Sequence, residues 1–231
     1  MFKLTEIVTF GADVKEAERS QIADSLRTTI GSNPHVSRSL IEPTLPGGTN
    51  SGHLVCHTQF ANEGDYHDAM RHPSWLAARD VLQAGYPIHT QRVAYARGSS
   101  HLSNPGLANG VYRVLLVRLR PAIDPEKILK FENEMREMAR YITAIRNWGF
   151  SRVIEGSGLR QWDYVWEQEF VDASALTLNG AYMAHPYHFA WVDRWFDPES
   201  HDWIVDTCIS NSRCAVEDSI LTPPSSPHTF V

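Results

Sequence analysis

The sequence predicts an α+β chain built as two tandem ferredoxin-like repeats, each ordered β-α-β-β-α-β. Three observations carry that prediction. A strand–helix order read over residues 1–97 restarts at residue 110. The dipeptide His-Pro opens a helix in each half, at His72-Pro73 and at His185-Pro186. Both the order and the dipeptide recur at a spacing of about 110 residues, and a fixed period marks an internal duplication.

The first repeat spans residues 1–97. Residues 3–10 alternate as a strand, and Ile22, Leu26 and Ile30 repeat at helical spacing over 13–30 before Gly31 and Asn33-Pro34 turn the chain. A second strand is expected at 35–42, a turn-rich surface loop at 43–52, and a third strand at 53–60. A short polar helix at 63–71 precedes the His72-Pro73 helix, which should stop near Gly85-Tyr86-Pro87, and a strand at 89–96 closes the unit. Residues 98–109, rich in Gly, Ser, Asn and Pro, read as a linker.

The second repeat spans 110–218. A strand at 111–119 leads to a helix capped by Asp124 with Pro125 in its first position; Ile128, Phe131, Met135, Met138 and Ile142 line one side. Strands follow at 148–155 and 161–170 around a turn at Gly156-Ser157-Gly158. A helix near 173–183, the His185-Pro186 helix, a further helical piece over 200–208 and a strand at 213–218 complete the order. Residues 219–231 form a Pro/Ser-rich tail, expected to be irregular. In the strand at 162–170, Trp162, Tyr164, Trp166, Gln168 and Phe170 alternate with Asp163, Val165, Glu167 and Glu169. The aromatic set can pack, and the carboxylates must face water or a polar cavity, with a solvated face the expectation for Glu167 and Glu169.

Composition bounds the function. The 231 residues are 42% hydrophobic and 21% charged, enough for one large domain or two of about 100 residues. A net charge of −6 without a Lys/Arg block argues against nucleic acid or an anionic membrane as partner. No apolar run approaches the ~18–20 residues that span a bilayer. The first residues run straight into a strand pattern without signal-peptide organisation, so a cytoplasmic location is expected. Cys56, Cys208 and Cys214 fit neither a disulfide framework nor a zinc site. His53 and His57 lie on one face of a strand but about 13 Å apart, too far to share an ion, so no metal site is expected.

The chemistry concentrates in residues 180–196. Pro186 fixes φ and lacks an N–H, which suits the first helical turn. His188, Trp191 and Trp195 then fall at i, i+3 and i+7, an aromatic face expected to point inward, with Tyr182 just across the break. An imidazole and a phenol beside an apolar wall form an acid–base pair that needs no metal or cofactor. The competing reading makes His188 a hydrogen-bonded core histidine and Tyr182 a packing residue. The first repeat weighs against it: the equivalent positions hold Ala69 and Trp75, so the shared His-Pro step reads as architecture while Tyr182 and His188 belong to one copy.

The duplicated order and the His-Pro helix start resemble the dimeric α+β barrel proteins, also called stress-responsive A/B barrel or Dabb proteins, over most of residues 1–97 and 110–218. The resemblance implies that the tandem chain is a fused barrel, an intramolecular counterpart of a homodimer of single units. The run from Tyr182 to His188 is similar to the Tyr-x-x-His-Pro-x-His signature of the plant olivetolic acid cyclases. That similarity implies a cofactor-independent polyketide-type cyclase with Tyr182 and His188 as the catalytic pair. The cyclases carry a pocket histidine on their first strand; Arg113 falls near that position, with Leu4 or Glu6 as its first-half counterpart. Arg113, Tyr164, His185, Trp191 and Trp195 are the expected substrate-binding residues, around a polyketide-like or aromatic small molecule. Three alternatives stay open: a non-catalytic ligand-binding Dabb protein, a cofactor-free monooxygenase of the same barrel superfamily, and a haem protein like chlorite dismutase with His188 or His185 as axial ligand. Further homodimerisation of the fused barrel is open as well.

Overall fold

The computed structural model describes residues 1–84 and 87–223. The first half runs β1 (Phe2–Phe10), α1 (Glu16–Gly31), β2 (Arg38–Pro43), β3 (Leu54–Phe60), α2 (Glu63–Arg71), α3 (Pro73–Ala84) and β4 (Pro87–Ala96). The second adds β5 (Ser99–Leu102), β6 (Ala108–Val117), α4 (Pro125–Tyr141), β7 (Asn147–Arg152), β8 (Glu155–Ser157) and β9 (Tyr164–Phe170). It ends with a 3₁₀ turn (Ala173–Leu176), a π-helical turn (His188–Val192), α5 (Asp193–Phe196) and β10 (Ser210–Asp218).

Two antiparallel sheets result, ordered β2-β3-β1-β4-β8 and β10-β6-β9-β7-β5. Without β8 and β5 the two orders are the same arrangement, with β6, β7, β9 and β10 standing for β1, β2, β3 and β4. Residue equivalences follow from the register. Leu4 pairs with Thr58 as Arg113 pairs with Gln168, so Arg113 corresponds to Leu4 rather than Glu6. Lys3, opposite Gln59, likewise corresponds to Tyr112, opposite Glu169.

Alternation along each strand sends one side chain to the helices and the next to the opposite sheet. Leu4, Val8 and Phe10 of β1 pack under the first-half helices, and Leu115, Val117, Tyr164, Trp166 and Phe170 under α4 and the segment after it. Between the sheets lie Ile7, Val55 and Val93 of the first half with Val114, Leu116, Val165 and Val216 of the second. The halves thus bury the open faces of their sheets against each other, as the duplication predicts.

The same alternation overturns the solvated face expected for Glu167 and Glu169. Both are fully buried, because their side of β9 faces the other sheet. Glu167 accepts hydrogen bonds from Lys3 Nζ at 2.9 and 3.0 Å and from the Tyr112 hydroxyl at 3.0 Å. Glu169 accepts from Asn147 Nδ2 and Ser219 Oγ, both at 2.7 Å, and from the Leu221 N–H at 3.1 Å. An unpaired carboxylate could not stay there, and these donors meet the demand.

Four other expectations change. The linker contains β5, which pairs with β7, and the turn at 156–158 contains β8, which pairs with β4 of the first half. Each short strand covers a sheet edge that would otherwise be open. No helix forms over 200–208; after Asp197-Pro198 the chain doubles back, and the N–H groups of Ile204 and Val205 both bond the Trp195 carbonyl. The tail begins inside the barrel: Ile220 and Leu221 are buried between the sheets, and Gln59 Nε2 donates to the Ile220 carbonyl at 2.5 Å. Gly85 and Tyr86, named for the helix stop, and residues 224–231 of the tail lie outside the described residues.

Candidate active site

The site is built on the helix-facing side of the second sheet. Arg113 on β6 and Gln168 on β9 are register partners and point to the same side as Phe170 and Tyr164. The segment after β9 covers them. Asp172 caps the 3₁₀ turn by accepting the Ser174 N–H at 2.7 Å. Gly180 then folds so closely over that turn that a Cβ would collide with the carbonyl oxygens of Ser174 and Ala175. The expected helix over 173–183 is therefore a 3₁₀ turn followed by tight turns, and the Tyr182 N–H bonds back to the Ala175 carbonyl at 3.1 Å.

Tyr182 is 2% exposed. Its hydroxyl accepts a hydrogen bond from Arg113 Nη1 at 3.2 Å, which leaves the phenolic proton free to be donated elsewhere. Arg113 is 6% exposed. It also donates from Nε to Asn211 Oδ1 at 2.9 Å and from Nη1 to Gln168 Oε1. The His188 ring stands edge-on to the Tyr182 ring, with centroids 4.8 Å apart at 73°, and Phe170 closes the other side at 5.5 Å. Tyr182, His188 and Arg113, singled out in the sequence, are thus brought into one cluster.

His188 opens the π-helical turn, in which the Asp193 N–H bonds the His188 carbonyl. This i→i+5 bond widens the turn and changes which residues share a face. Trp191, expected inside with His188, is turned outward and 45% exposed, while Val192 is buried in its place. The same widening brings Asp193 Oδ1 to 3.0 Å from His188 Nδ1, close enough for an ion pair though not angled as a hydrogen bond.

The remaining expected binding residues do other work. His185 is a cap: its Nδ1 accepts the Tyr187 N–H at 3.1 Å, as His72 Nδ1 accepts the Ser74 N–H at 3.3 Å in the first half. The His-Pro step is architecture in both copies, and His185 faces a surface groove with Tyr141, Tyr187 and Trp191. Trp195 is buried in the core and donates from Nε1 to Glu134 Oε2 at 2.7 Å. Tyr164 stacks on Phe150 at 5.0 Å and donates to Glu132 Oε1 at 2.7 Å, four residues and about 13 Å along β9 from Gln168. Burial and that hydrogen bond push its phenol well up.

At the equivalent place in the first half stand Leu4, Ala69 and Trp75, all buried, with the Trp75 ring 6.3 Å from Phe60. Apolar groups fill that place, where the second half holds its phenol, imidazole and guanidinium. Sequence reasoning missed Gln168, Asn211 and Asp193. Gln168 was visible as the one polar residue in an aromatic alternation, whereas Asp193 sits where only a π turn could bring it.

Residues 111–206 match the family model of the Stress responsive A/B Barrel Domain, Dabb. No curated protein sequence matches the chain at a significant level. Among solved structures, the chain is similar to an anthrone oxidase-like protein at 9% identity and a TM-score of 0.67, covering 93% of this chain and 90% of that one. It is also similar to candidate monooxygenases of Fusobacterium nucleatum (8% identity, TM-score 0.59, 94% and 92% covered) and Lactobacillus acidophilus (12%, 0.55, 94% and 93%). At these identities the likeness establishes the duplicated barrel fold along nearly the whole chain. The family-model match falls on the half of the chain that carries Tyr182, His188 and Arg113.

Proposed function

We propose that the second half is a cofactor-independent cyclase or related lyase acting on a β-keto or phenolic intermediate. The observation that carries this reading is the edge-on contact of Tyr182 and His188 beside Arg113, in a chain whose other half holds Ala69, Trp75 and Leu4 at the same places. The run Tyr182-Met183-Ala184-His185-Pro186-Tyr187-His188 supports it through its similarity to the cyclase signature. His188 in its neutral form takes a proton α to a carbonyl, and the Asp193 carboxylate faces the imidazolium that forms. Tyr182, with its oxygen held by Arg113, donates its proton as a hydrogen bond to the enolate oxygen as charge develops there.

The test is turnover of a linear β-polyketo acid, and of its thioester, into the cyclised product, followed by mass spectrometry. His188→Ala should abolish product. Tyr182→Phe should cost about 2.7–4 kcal/mol of barrier, the range for one oxyanion donor. Near wild-type rates in His188→Ala, or binding without turnover in the unaltered protein, would sink the reading.

The likeness to an anthrone oxidase-like protein and candidate monooxygenases favours one second reading. In it the same histidine deprotonates a phenol that then reacts with oxygen. Oxygen consumption with a phenolic substrate separates the two.

A further inference from the structure

Arg113 lies directly opposite Arg213 across the β6–β10 ladder, so two guanidinium side chains leave the same face of the sheet. Both belong to the cluster that holds Tyr182, since Asn211, two residues along β10 from Arg213, takes the Arg113 Nε hydrogen bond. Like charges directly opposite each other destabilise a sheet, and a buried charge without a counter-ion costs more. Both costs are present. The three partners of Arg113 (Asn211, Gln168 and Tyr182) are all neutral. Arg213 Nε is buried and has no hydrogen-bond partner among the described residues.

The first half completes this place. Gly47, at φ +89°, lays its backbone against the Arg213 guanidinium where any Cβ would collide with it. Burial and the neighbouring Arg113 lower the Arg213 pKa, the direction expected of a cation held beside another.

We infer that the Arg113–Arg213 pair is an anion subsite and that the substrate of the second half carries a carboxylate next to its reacting carbon. The Nη2 edge that Arg113 keeps free of its three neutral partners and the orphaned Nε of Arg213 on the adjacent strand can both donate to the oxygens of one carboxylate, and one such anion removes the repulsion. Arg113 bridges this subsite to the Tyr182 hydroxyl, so a carboxylate held here sets the rest of the molecule against Tyr182 and His188. The inference rests on the acid–base reading of those two residues for the position of the chemistry, and on the arginines alone for the charge of the ligand.

The experiment is calorimetric titration of the full chain with benzoate, with neutral benzamide and inorganic phosphate in parallel. Benzoate should bind saturably and weaken with salt, and benzamide should bind at least about tenfold more weakly, the difference one charge-assisted contact makes. Arg213→Gln, at a half-buried edge position, should fold normally by circular dichroism and lose about tenfold or more in benzoate affinity, with Arg213→Lys restoring part of it. His188→Ala and Tyr182→Phe should keep benzoate binding, so loss of turnover and loss of anion binding are read separately. Equal affinity for benzamide, no saturable benzoate binding, or full affinity in a folded Arg213→Gln would overturn the subsite. Phosphate binding tighter than benzoate would overturn its assignment to a carboxylate.

Discussion

His188 Nδ1 and Asp193 Oδ1 stand 3.0 Å apart across one π-helical turn. In an α-helix residues five apart point to different sides, so the contact exists only because the turn is widened by one residue. Such turns recur at functional sites, and here the widening sets a carboxylate against one ring nitrogen of His188; in the proposed mechanism that nitrogen is the one away from the reaction.

From this contact, Asp193→Asn should lower kcat while leaving KM and the unfolding midpoint near wild type. The loss should be smaller than the 10²–10⁴-fold expected for removing the base itself, because the Asp193 side chain is 43% exposed and solvent screens it. Asp193→Glu should recover part of kcat. An unchanged kcat in Asp193→Asn would show that the carboxylate only stands nearby.

A second prediction concerns the joint between the halves. Lys3 of the first and Glu167 of the second form a buried ion pair at 2.9 Å. Lys3→Met leaves Glu167 buried without its cation and should cost about 3–5 kcal/mol by urea denaturation. Lys3→Met combined with Glu167→Leu removes both charges and should recover most of that loss. If the double variant is as unstable as the single one, shape rather than charge holds this part of the joint.

Much of this was legible in the sequence. The repeated His-Pro step, the restart after residue 110 and the alternation in 162–170 give the fold and put Tyr182, His188 and Arg113 in one half. Alternation cannot say which face of a strand meets the other sheet, so Glu167 and Glu169 were read as solvated although they are the buried anchors. Helical spacing assumes 3.6 residues per turn, so Trp191 was placed inside and Asp193 was overlooked. The edge strands β5 and β8 escaped notice because short Gly/Ser segments become strands only when a distant edge needs covering. Arg213 carries no signal of its own; its meaning comes from standing opposite Arg113.

The last prediction is a pH dependence centred on His57. It is fully buried between the sheets, with Nδ1 2.9 Å from Thr5 Oγ1 and Nε2 3.7 Å from Glu167 Oε1. Burial lowers its pKa to about 3 against the pull of Glu167, with Lys3 and Arg38 adding to the lowering. The unfolded chain takes up this proton near pH ~6.5, whereas the folded protein resists it down to about pH 3. Between those values the unfolded state binds more protons, so stability falls as pH falls through that window. Glu167 acts in the same direction further down. Burial alone would raise its pKa, but the Lys3 ammonium, His57 and the hydrogen bonds from Lys3 and Tyr112 outweigh burial and lower it. Its contribution is present above the ordinary carboxylate range and is lost as pH drops through the lowered value. The two are separable because, of this pair, only His57 acts between pH ~6.5 and ~4.5, and the share of His53, also lowered by burial, is untouched by a change at His57. In that interval His57→Gln should flatten the decline of the urea-unfolding free energy with pH, while the steeper loss below it remains. An unchanged slope in His57→Gln would mean that the imidazole is protonated in the folded barrel, with Glu167 as its counter-ion.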